Sequence, residues 1–463
     1  MATERRLTLG LDEKEGYWLN MLARQQITST PKGAAGIGAF AGYNETHALD
    51  YADNDLSASR AGGQLQWLSA DGNQWDLLIG RQEKEFGARG YYGVNPLWGA
   101  QETTEDSLVF ASFETPREAD ESRARISIMV REQTDDYTLF WTLPGVFNNR
   151  HKLDTYGTSL DGRWMLGQDG TFDWRLNASE QRIRSAALGD HERAQMGLLA
   201  MPGIQHSQWF FQGGGLLAIY EEQINEFLPQ AAVTRQINER LTLKLAYSES
   251  ARQPSFTELN YESPASLGNA GLGNQQAATT ELRLEGRPQK SIYWMLGVFQ
   301  QSARNTVDWI RETADAPRWV AWNIRTVDTT GVEGSVRWQA NSGSRIGVHY
   351  TGLTQSKNTE FYASRYALDS PEHLLQCSGY WSLGSRLGLE FLQSLRQHPD
   401  NPLRQSSDTG YDGSLLLHLL TWQAPQIQLT LGIHNLWDDD FEILPGQTTV
   451  SPQRVSAGLT MDW

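Results

Sequence analysis

The sequence has one cysteine, Cys377, among 463 residues, and it lacks any long apolar run. A single thiol excludes a disulfide within the chain. A membrane-spanning helix needs about 20 consecutive apolar residues, so a helical membrane protein is excluded as well. The net charge is −16, and the sequence has no basic stripe that could neutralise phosphates. These two observations exclude nucleic acid as a partner.

What the sequence has instead is a short alternation of apolar and polar residues that recurs along the chain. Leu241, Leu243 and Leu245 alternate with Thr242 and Lys244. Because successive side chains of a strand point to opposite faces, this pattern predicts a strand with one apolar face. The solvated sheet of a soluble protein alternates in this way, and so does a transmembrane β-barrel. The same alternation recurs around Tyr17, Trp67, Trp75, Ile128, Trp174, Val336, Ile433 and Leu459.

An irregular stretch between two of these strands carries a family resemblance. The run Arg252–Leu259 reads RQPSFTEL, and Gly268-Asn269 and Leu272 follow it. This resembles the barrel signature of the TonB-dependent outer-membrane receptors. The Pro-Glu pair that usually closes the signature is replaced here by Asn-Gln-Gln at 274–276.

Four further stretches are similar to motifs of the same family, in the family's order. They are Phe86–Gly93 (FGARGYYG) with Glu102–Thr104, Arg304–Ile310 (RNTVDWI), Asn323-Ile324 through Gly331–Gly334, and Asn435–Asp438 (NLWD). The resemblance extends from about residue 62 to the end of the chain.

The connections between strands are predicted to alternate in length. Short turns are expected near residues 30–35, 70–73, 116–121, 168–170, 202–206, 237–239, 288–290, 341–344, 384–385 and 424–425. Outer-membrane barrels have short periplasmic turns and long extracellular loops. Together with the resemblance, ten turns and eleven longer connections predict an all-β fold, a transmembrane antiparallel β-barrel of about 22 strands.

The resemblance implies one barrel domain over residues 1–463, in a multi-pass protein of the bacterial outer membrane that contacts its lipids. The plug domain of the family is expected to be absent from this chain. A TonB-type energy-transducing protein is therefore expected as a partner only through a plug that this chain does not contain. The implied function is energy-coupled uptake of a scarce nutrient, either an iron–siderophore complex or cobalamin, without an enzymatic reaction. A passive outer-membrane channel and a soluble all-β binding protein remain as alternatives.

Aromatic and arginine side chains in two loop regions are the candidate ligand contacts, since aromatic faces bind planar groups and arginine binds anionic oxygens. Packing of strand ends is the competing interpretation. No catalytic residues, metal ligands or cofactors are predicted, and the acidic run at 438–440 with Glu442 is interpreted as a solvated loop. The candidate contacts are Phe86, Arg89, Tyr91, Tyr92 and Trp98 in one region, and Arg252, Phe256, Tyr261 and Asn269 in the other.

Tryptophans in or near the strands are expected mainly to anchor the barrel at the membrane interfaces. They are Trp18, Trp67, Trp164, Trp174, Trp209, Trp294, Trp338, Trp381 and Trp422.

Overall fold

The structure is a closed antiparallel β-barrel. It is a computed structural model that describes residues 3–463 except 48–54, 89–98, 117–121, 144, 222, 358–360, 405–406, 424, 446–447 and 450–451. Within these residues the main sheet has 24 strands, of which two are only two residues long, and the other 22 form the wall. The first strand, Glu4–Asp12, pairs with the last, Arg454–Asp462, so the sheet closes on itself. The predicted all-β barrel is confirmed.

The wall strands follow one another around the barrel in chain order. They are Glu4–Asp12, Tyr17–Thr30, Gly33–Thr46, Leu56–Ser69, Gln74–Gly87, Gln101–Glu114, Arg123–Thr138, Asn148–Leu166, Gly170–Ser185, His191–His206, Trp209–Tyr220, Glu226–Asn238, Leu241–Arg252, Gln275–Gln289, Ile292–Arg311, Trp319–Gln339, Arg345–Lys357, His373–Ser382, Leu387–Gln397, Thr409–Gln423, Gln426–His434 and Arg454–Asp462. A separate pair, Glu442–Leu444 with Thr448–Thr449, lies in the last loop. In the described part of the chain, no helix has the length and apolarity needed to cross a membrane.

The two faces of the wall differ in polarity, as the alternation predicts. Ile126, Ile128 and Val130 point outward and are 45%, 55% and 46% exposed. Ser127, on the opposite face, shares a hydrogen bond of 2.8 Å with Ser159 of the next strand. The inner face also carries ion pairs, such as the forked pair of Arg163 with Asp173 at 2.6 and 2.8 Å. An apolar exterior around a polar interior is the arrangement of a barrel in a bilayer.

Exposed tryptophans form a belt near one rim. Trp164 stacks on Phe172 across a turn, with ring centroids 5.7 Å apart. Trp18 is an exception to the predicted interface role, because it pairs with Gly10 between the outward-facing Leu9 and Leu11 and therefore lies on the inner face. The belt consists of Trp75, Trp164, Trp209, Trp338 and Trp381, each close to a turn.

The connections divide into two rims. We call the rim with short connections the turn rim and the opposite one the loop rim. The turn-rim connections are 31–32, 70–73, 115–122, 167–169, 207–208, 239–240, 290–291, 340–344, 383–386 and 424–425.

The number of short turns is confirmed, but the turn expected at 202–206 is wrong. Pro202 lies inside the strand His191–His206 and is opposite Phe172. Proline cannot donate to a ladder, and on the other side the pairing is interrupted between Ala200–Gly215 and Gly203–Gln212. The strand absorbs the proline at this irregularity and turns at 207–208 instead.

Candidate functional site

The signature run Arg252–Leu259 builds a short, capped helix at the loop rim. The α-helix Phe256–Asn260 starts with a capping box in which the Ser255 hydroxyl accepts the Glu258 N–H (3.1 Å) and the Glu258 carboxylate accepts the Ser255 N–H (2.6 Å). Arg252 donates to both oxygens of Glu258, at 3.0 and 3.1 Å. The Arg, Ser and Glu of the motif therefore act together as a local folding device.

The aromatic residue of the motif anchors this helix to the inner wall. Phe256 is buried against Ile183 and Leu188 of the neighbouring hairpin. The Arg193 guanidinium lies 4.4 Å from the Phe256 ring centroid and donates to the Pro254 carbonyl at 2.7 Å. The loop at 253–274 consequently folds inward rather than extending away from the barrel.

We expect Ser255→Ala to open this helix locally, because the mutant loses the oxygen that accepts the Glu258 N–H. Loss of an N-cap costs about 0.5–2 kcal/mol. Hydrogen exchange should show faster exchange of the Glu258 amide in Ser255→Ala. The control is Thr257→Ala, which truncates a similar side chain two residues later. Equal exchange rates of the Glu258 amide in the two variants would contradict the assigned role of the cap.

Two short strands extend a hairpin of the wall above the loop rim. Ser266–Leu267, from the signature loop, pairs in parallel with Trp319–Val320. Ala363–Ser364, from the loop at 358–372, pairs antiparallel with Ile310–Arg311. The hairpin thus carries one added strand on each edge, and we call this four-stranded unit the outer sheet.

Asp308 fixes one of these added strands. Its buried carboxylate accepts the backbone N–H groups of Trp309, Ala367 and Tyr366 at 2.7, 2.9 and 3.2 Å, and also the Ser364 hydroxyl. Buried carboxylates need such partners, and here they hold the segment at 363–367 against the hairpin.

The outer sheet, the signature loop and the wall enclose a cavity of about 460 Å³. Glu102 and Asp135 line it on the wall side, and Arg311 and Arg365 on the side of the outer sheet. Its aromatic and imidazole groups are Tyr137, Phe147, His151, Tyr261, Trp309 and Tyr366. This volume and mixture of apolar and polar groups are typical of a small-molecule site.

The two arginines are held by a tryptophan. Trp319 is 2% exposed, and its ring centroid lies 4.7 Å from the Arg311 guanidinium carbon and 5.6 Å from that of Arg365. Stacking on an indole orients a guanidinium and leaves its edge available for hydrogen bonds.

A second cluster ties three loops together, one of them the loop at 358–372, and we call Asp369, His398, Arg404 and Phe441 the loop latch. The Arg404 side chain is 1% exposed and donates to both Asp369 oxygens at 2.9 and 2.7 Å. It also donates to the Glu442 carbonyl at 2.5 Å and lies 4.7 Å from the Phe441 ring centroid. His398 Nδ1 lies 2.7 Å from the Asp369 carbonyl oxygen.

Acid is expected to loosen the loop latch. Burial raises the pKa of Asp369, but hydrogen bonds from His398, Arg404 and Asn401 outweigh burial and hold this pKa below its ordinary value of 3.8. The pKa of Asp369 is thus lower in the folded protein than in the unfolded one. The stabilisation by this carboxylate is therefore complete above pH 3.8 and is lost as the pH falls through the folded-state pKa. Hydrogen exchange of the loops at decreasing pH should show this step, and Asp369→Asn should lack it. An identical acid step in both proteins would contradict the role of this carboxylate.

The structure separates the predicted contact residues into three groups. Arg89, Tyr91, Tyr92 and Trp98 lie outside the described residues. Tyr261 lines the cavity, and its hydroxyl accepts a hydrogen bond of 3.1 Å from Asn149. The others have structural contacts. Phe86 packs against the cluster that contains Tyr137, and Arg252 binds Glu258. Phe256 is buried, and the Asn269 side chain accepts the Gly271 N–H. Ligand contact by any of them stays a prediction.

Most polar cavity residues were not among the predicted contacts. Glu102 and Trp309 lie within two of the family motifs, and this was the one feature of the sequence that could have identified them as candidate contacts. Asp135, Arg311, Arg365 and Tyr366 show no local pattern, since barrel closure brings the strands of Asp135 and Arg311 around one lumen and loop folding adds Arg365 and Tyr366. In the acidic run at 438–440, the Asp439 carboxylate accepts the Tyr411 N–H at 2.7 Å. Among the described residues, no group of three metal-ligating side chains is placed to hold a metal ion.

Solved structures share this fold over nearly the whole chain. The siderophore receptor PirA from Acinetobacter baumannii is 12% identical with a TM-score of 0.78, covering 100% of this chain and 80% of that one. The siderophore receptor PirA from Pseudomonas aeruginosa is 13% identical with a TM-score of 0.73, and the match covers 99% of this chain and 80% of that one. The ferric-catecholate import receptor Fiu from Escherichia coli K12 is 11% identical with a TM-score of 0.76, and the match covers 100% of this chain and 82% of that one. At these identities the likeness shows the fold alone.

Sequence comparison provides the family. No curated protein matches this sequence significantly. The family model described as TonB dependent receptor-like, beta-barrel, matches residues 18–436. The match covers most of the wall and includes the signature loop and the outer sheet, so the chain belongs to the family of TonB-dependent receptor β-barrels.

Proposed function

We propose that this chain is the barrel of an outer-membrane receptor that takes up a scarce metal chelate, with an iron–siderophore complex as its main ligand class and cobalamin as the alternative. The cavity at the loop rim is the observation that carries the proposal. It is walled by the signature loop and the outer sheet, and it presents aromatic faces beside stacked arginines. Binding and passage require no chemical change of the ligand, so no enzymatic step is part of the proposal.

The proposed location is the bacterial outer membrane, with the loop rim outside and the turn rim in the periplasm. The apolar outer face and the tryptophan belt support this orientation, since aromatic residues concentrate at bilayer interfaces. The same exterior is unfavourable for a soluble all-β binding protein, because such a large apolar surface would be in water. Outer-membrane lipids are the proposed partners of the barrel, and a TonB-type protein is a proposed partner only through a plug domain of the family.

A passive channel is the second candidate, favoured by the charged inner wall. Ion pairs such as Arg163 with Asp173 line the interior along the wall strands. Charged side chains require water, and a wide polar lumen is the property of a diffusion pore.

Two measurements on the purified chain separate these functions. A receptor should bind ferric chelates in detergent, detected by calorimetry, and Tyr366→Ala in the cavity should weaken binding. Tyr411→Ala is the matched control, because Tyr411 has a similar exposure (47% against 46%) but lies outside the cavity. A steady single-channel conductance in a planar bilayer, together with no chelate binding, would support the passive channel and overturn the receptor proposal.

A further inference from the structure

The wall side of the cavity carries two acidic groups on neighbouring strands. Thr104 pairs with Asp135 and Glu102 pairs with Tyr137, so both carboxyls lie on the inner face near the loop rim. Glu102 is only 5% exposed, and a hydrogen bond joins the two carboxyl groups. A hydrogen bond between two carboxyl groups requires a proton on one of them, so the pair carries one negative charge. This buried charge attracts cations and hydrogen-bond donors, and it repels an anion placed against it because little water screens it.

The opposite side of the cavity has the complementary charge. Arg311 and Arg365 stack on Trp319, which orients both guanidinium groups beside the cavity. Two carboxyls on one side thus oppose two guanidiniums on the other, with Tyr137 and Trp309 in the same lining. The site is therefore polarised, with one negative charge on the wall side and two positive charges on the side of the outer sheet.

We infer that this cavity selects a neutral or zwitterionic metal chelate over a polyanionic one. The ligand's N–H or ammonium group faces Glu102 and Asp135, and its carbonyl, hydroxamate or carboxylate oxygens face Arg311. A chelate with three negative charges cannot place all of them on the arginine side, and any charge near the acidic pair is repelled. This inference rests on the proposed receptor function and specifies its ligand class.

Two ferric chelates of different charge test this inference. A neutral ferric tris-hydroxamate and a trianionic ferric tris-catecholate are each titrated into the full chain in detergent, and binding is measured by calorimetry. We expect the hydroxamate to bind at least about tenfold more tightly, a difference of roughly 1.4 kcal/mol. The double variant Glu102→Gln, Asp135→Asn should lose most of that preference because catecholate binding improves. Asp136→Asn is the matched control, since Asp136 is adjacent but on the other face of the strand, and it should keep the preference.

The outcomes are distinguishable. Tighter binding of the catecholate by the unmodified chain overturns the inference and leaves the receptor function standing. Binding of neither probe, by a chain whose barrel is intact by its heat-modifiable gel mobility, overturns both. If the double variant fails to fold, the preference of the unmodified chain decides the matter, and Arg311→Gln gives a second test because it should weaken hydroxamate binding.

Discussion

Replacing Arg404 with alanine is expected to release the loops at 358–372, 398–408 and 435–453 from one another. The change leaves the Asp369 carboxylate buried without the guanidinium that donates to both its oxygens, and it removes that guanidinium from the Phe441 ring. Breaking a buried pair on one side typically costs about 3–5 kcal/mol. Here the cost should fall on the local stability of the loops, because the wall strands keep their ladders.

Limited proteolysis and hydrogen exchange of the inserted barrel measure this effect. Cleavage within the three loops should become much faster in Arg404→Ala. Arg404→Lys should show part of the effect, since lysine keeps the charge but lacks the second nitrogen that donates to the Glu442 carbonyl and the planar group that lies on the Phe441 ring. Arg386→Ala at the turn rim is the control. An unchanged cleavage pattern in Arg404→Ala would show that the latch does not hold these loops.

Replacing Ile128 with arginine is expected to destabilise the inserted barrel by about 2–4 kcal/mol, the cost of an arginine near the bilayer midplane. Ile128 points outward from the middle of the strand Arg123–Thr138 and is 55% exposed. Ser127→Arg places the same side chain one residue away but in the polar interior, where water and carboxylates can receive it. We therefore expect Ser127→Arg to have a much smaller effect.

Urea unfolding of both variants in phospholipid bilayers, followed by gel mobility, gives the comparison. The expected result is a lower unfolding midpoint for Ile128→Arg than for Ser127→Arg. Equal midpoints would mean that the two faces of this strand have the same surroundings, and the assignment of the outward face to lipid would be wrong.

The wall could be predicted from the sequence because its rules are local. The alternation at Ile126, Ile128 and Val130 depends only on the period of a strand. The signature run is local as well, since Ser255 and Glu258 cap their own helix and Arg252 lies a few residues before it. Pro202 shows the limit of local rules, because proline alone indicates a turn and only the neighbouring ladder shows the strand continuing.

The cavity and the loop latch could not be predicted in this way. Asp135 and Arg311 come from strands far apart in the sequence, and Asp369 meets Arg404 only because two irregular loops fold against each other. A lone arginine in a loop has the same local sequence whether it is solvated or buried. Their positions depend on the folded loops as a whole, which periodicity does not describe.

The pairing of the first strand with the last has a consequence for folding kinetics. Arg6 donates to Asp462 at 2.6 Å, a contact between residues 456 positions apart in the chain. Such a contact gives the barrel a very high contact order, and folding rates fall as contact order rises. Before Arg454–Asp462 adds to the sheet, both Glu4–Asp12 and Gln426–His434 have an unpaired edge, which lipid does not tolerate. Insertion should therefore be slow and concerted, with a late transition state in which the seam is closing.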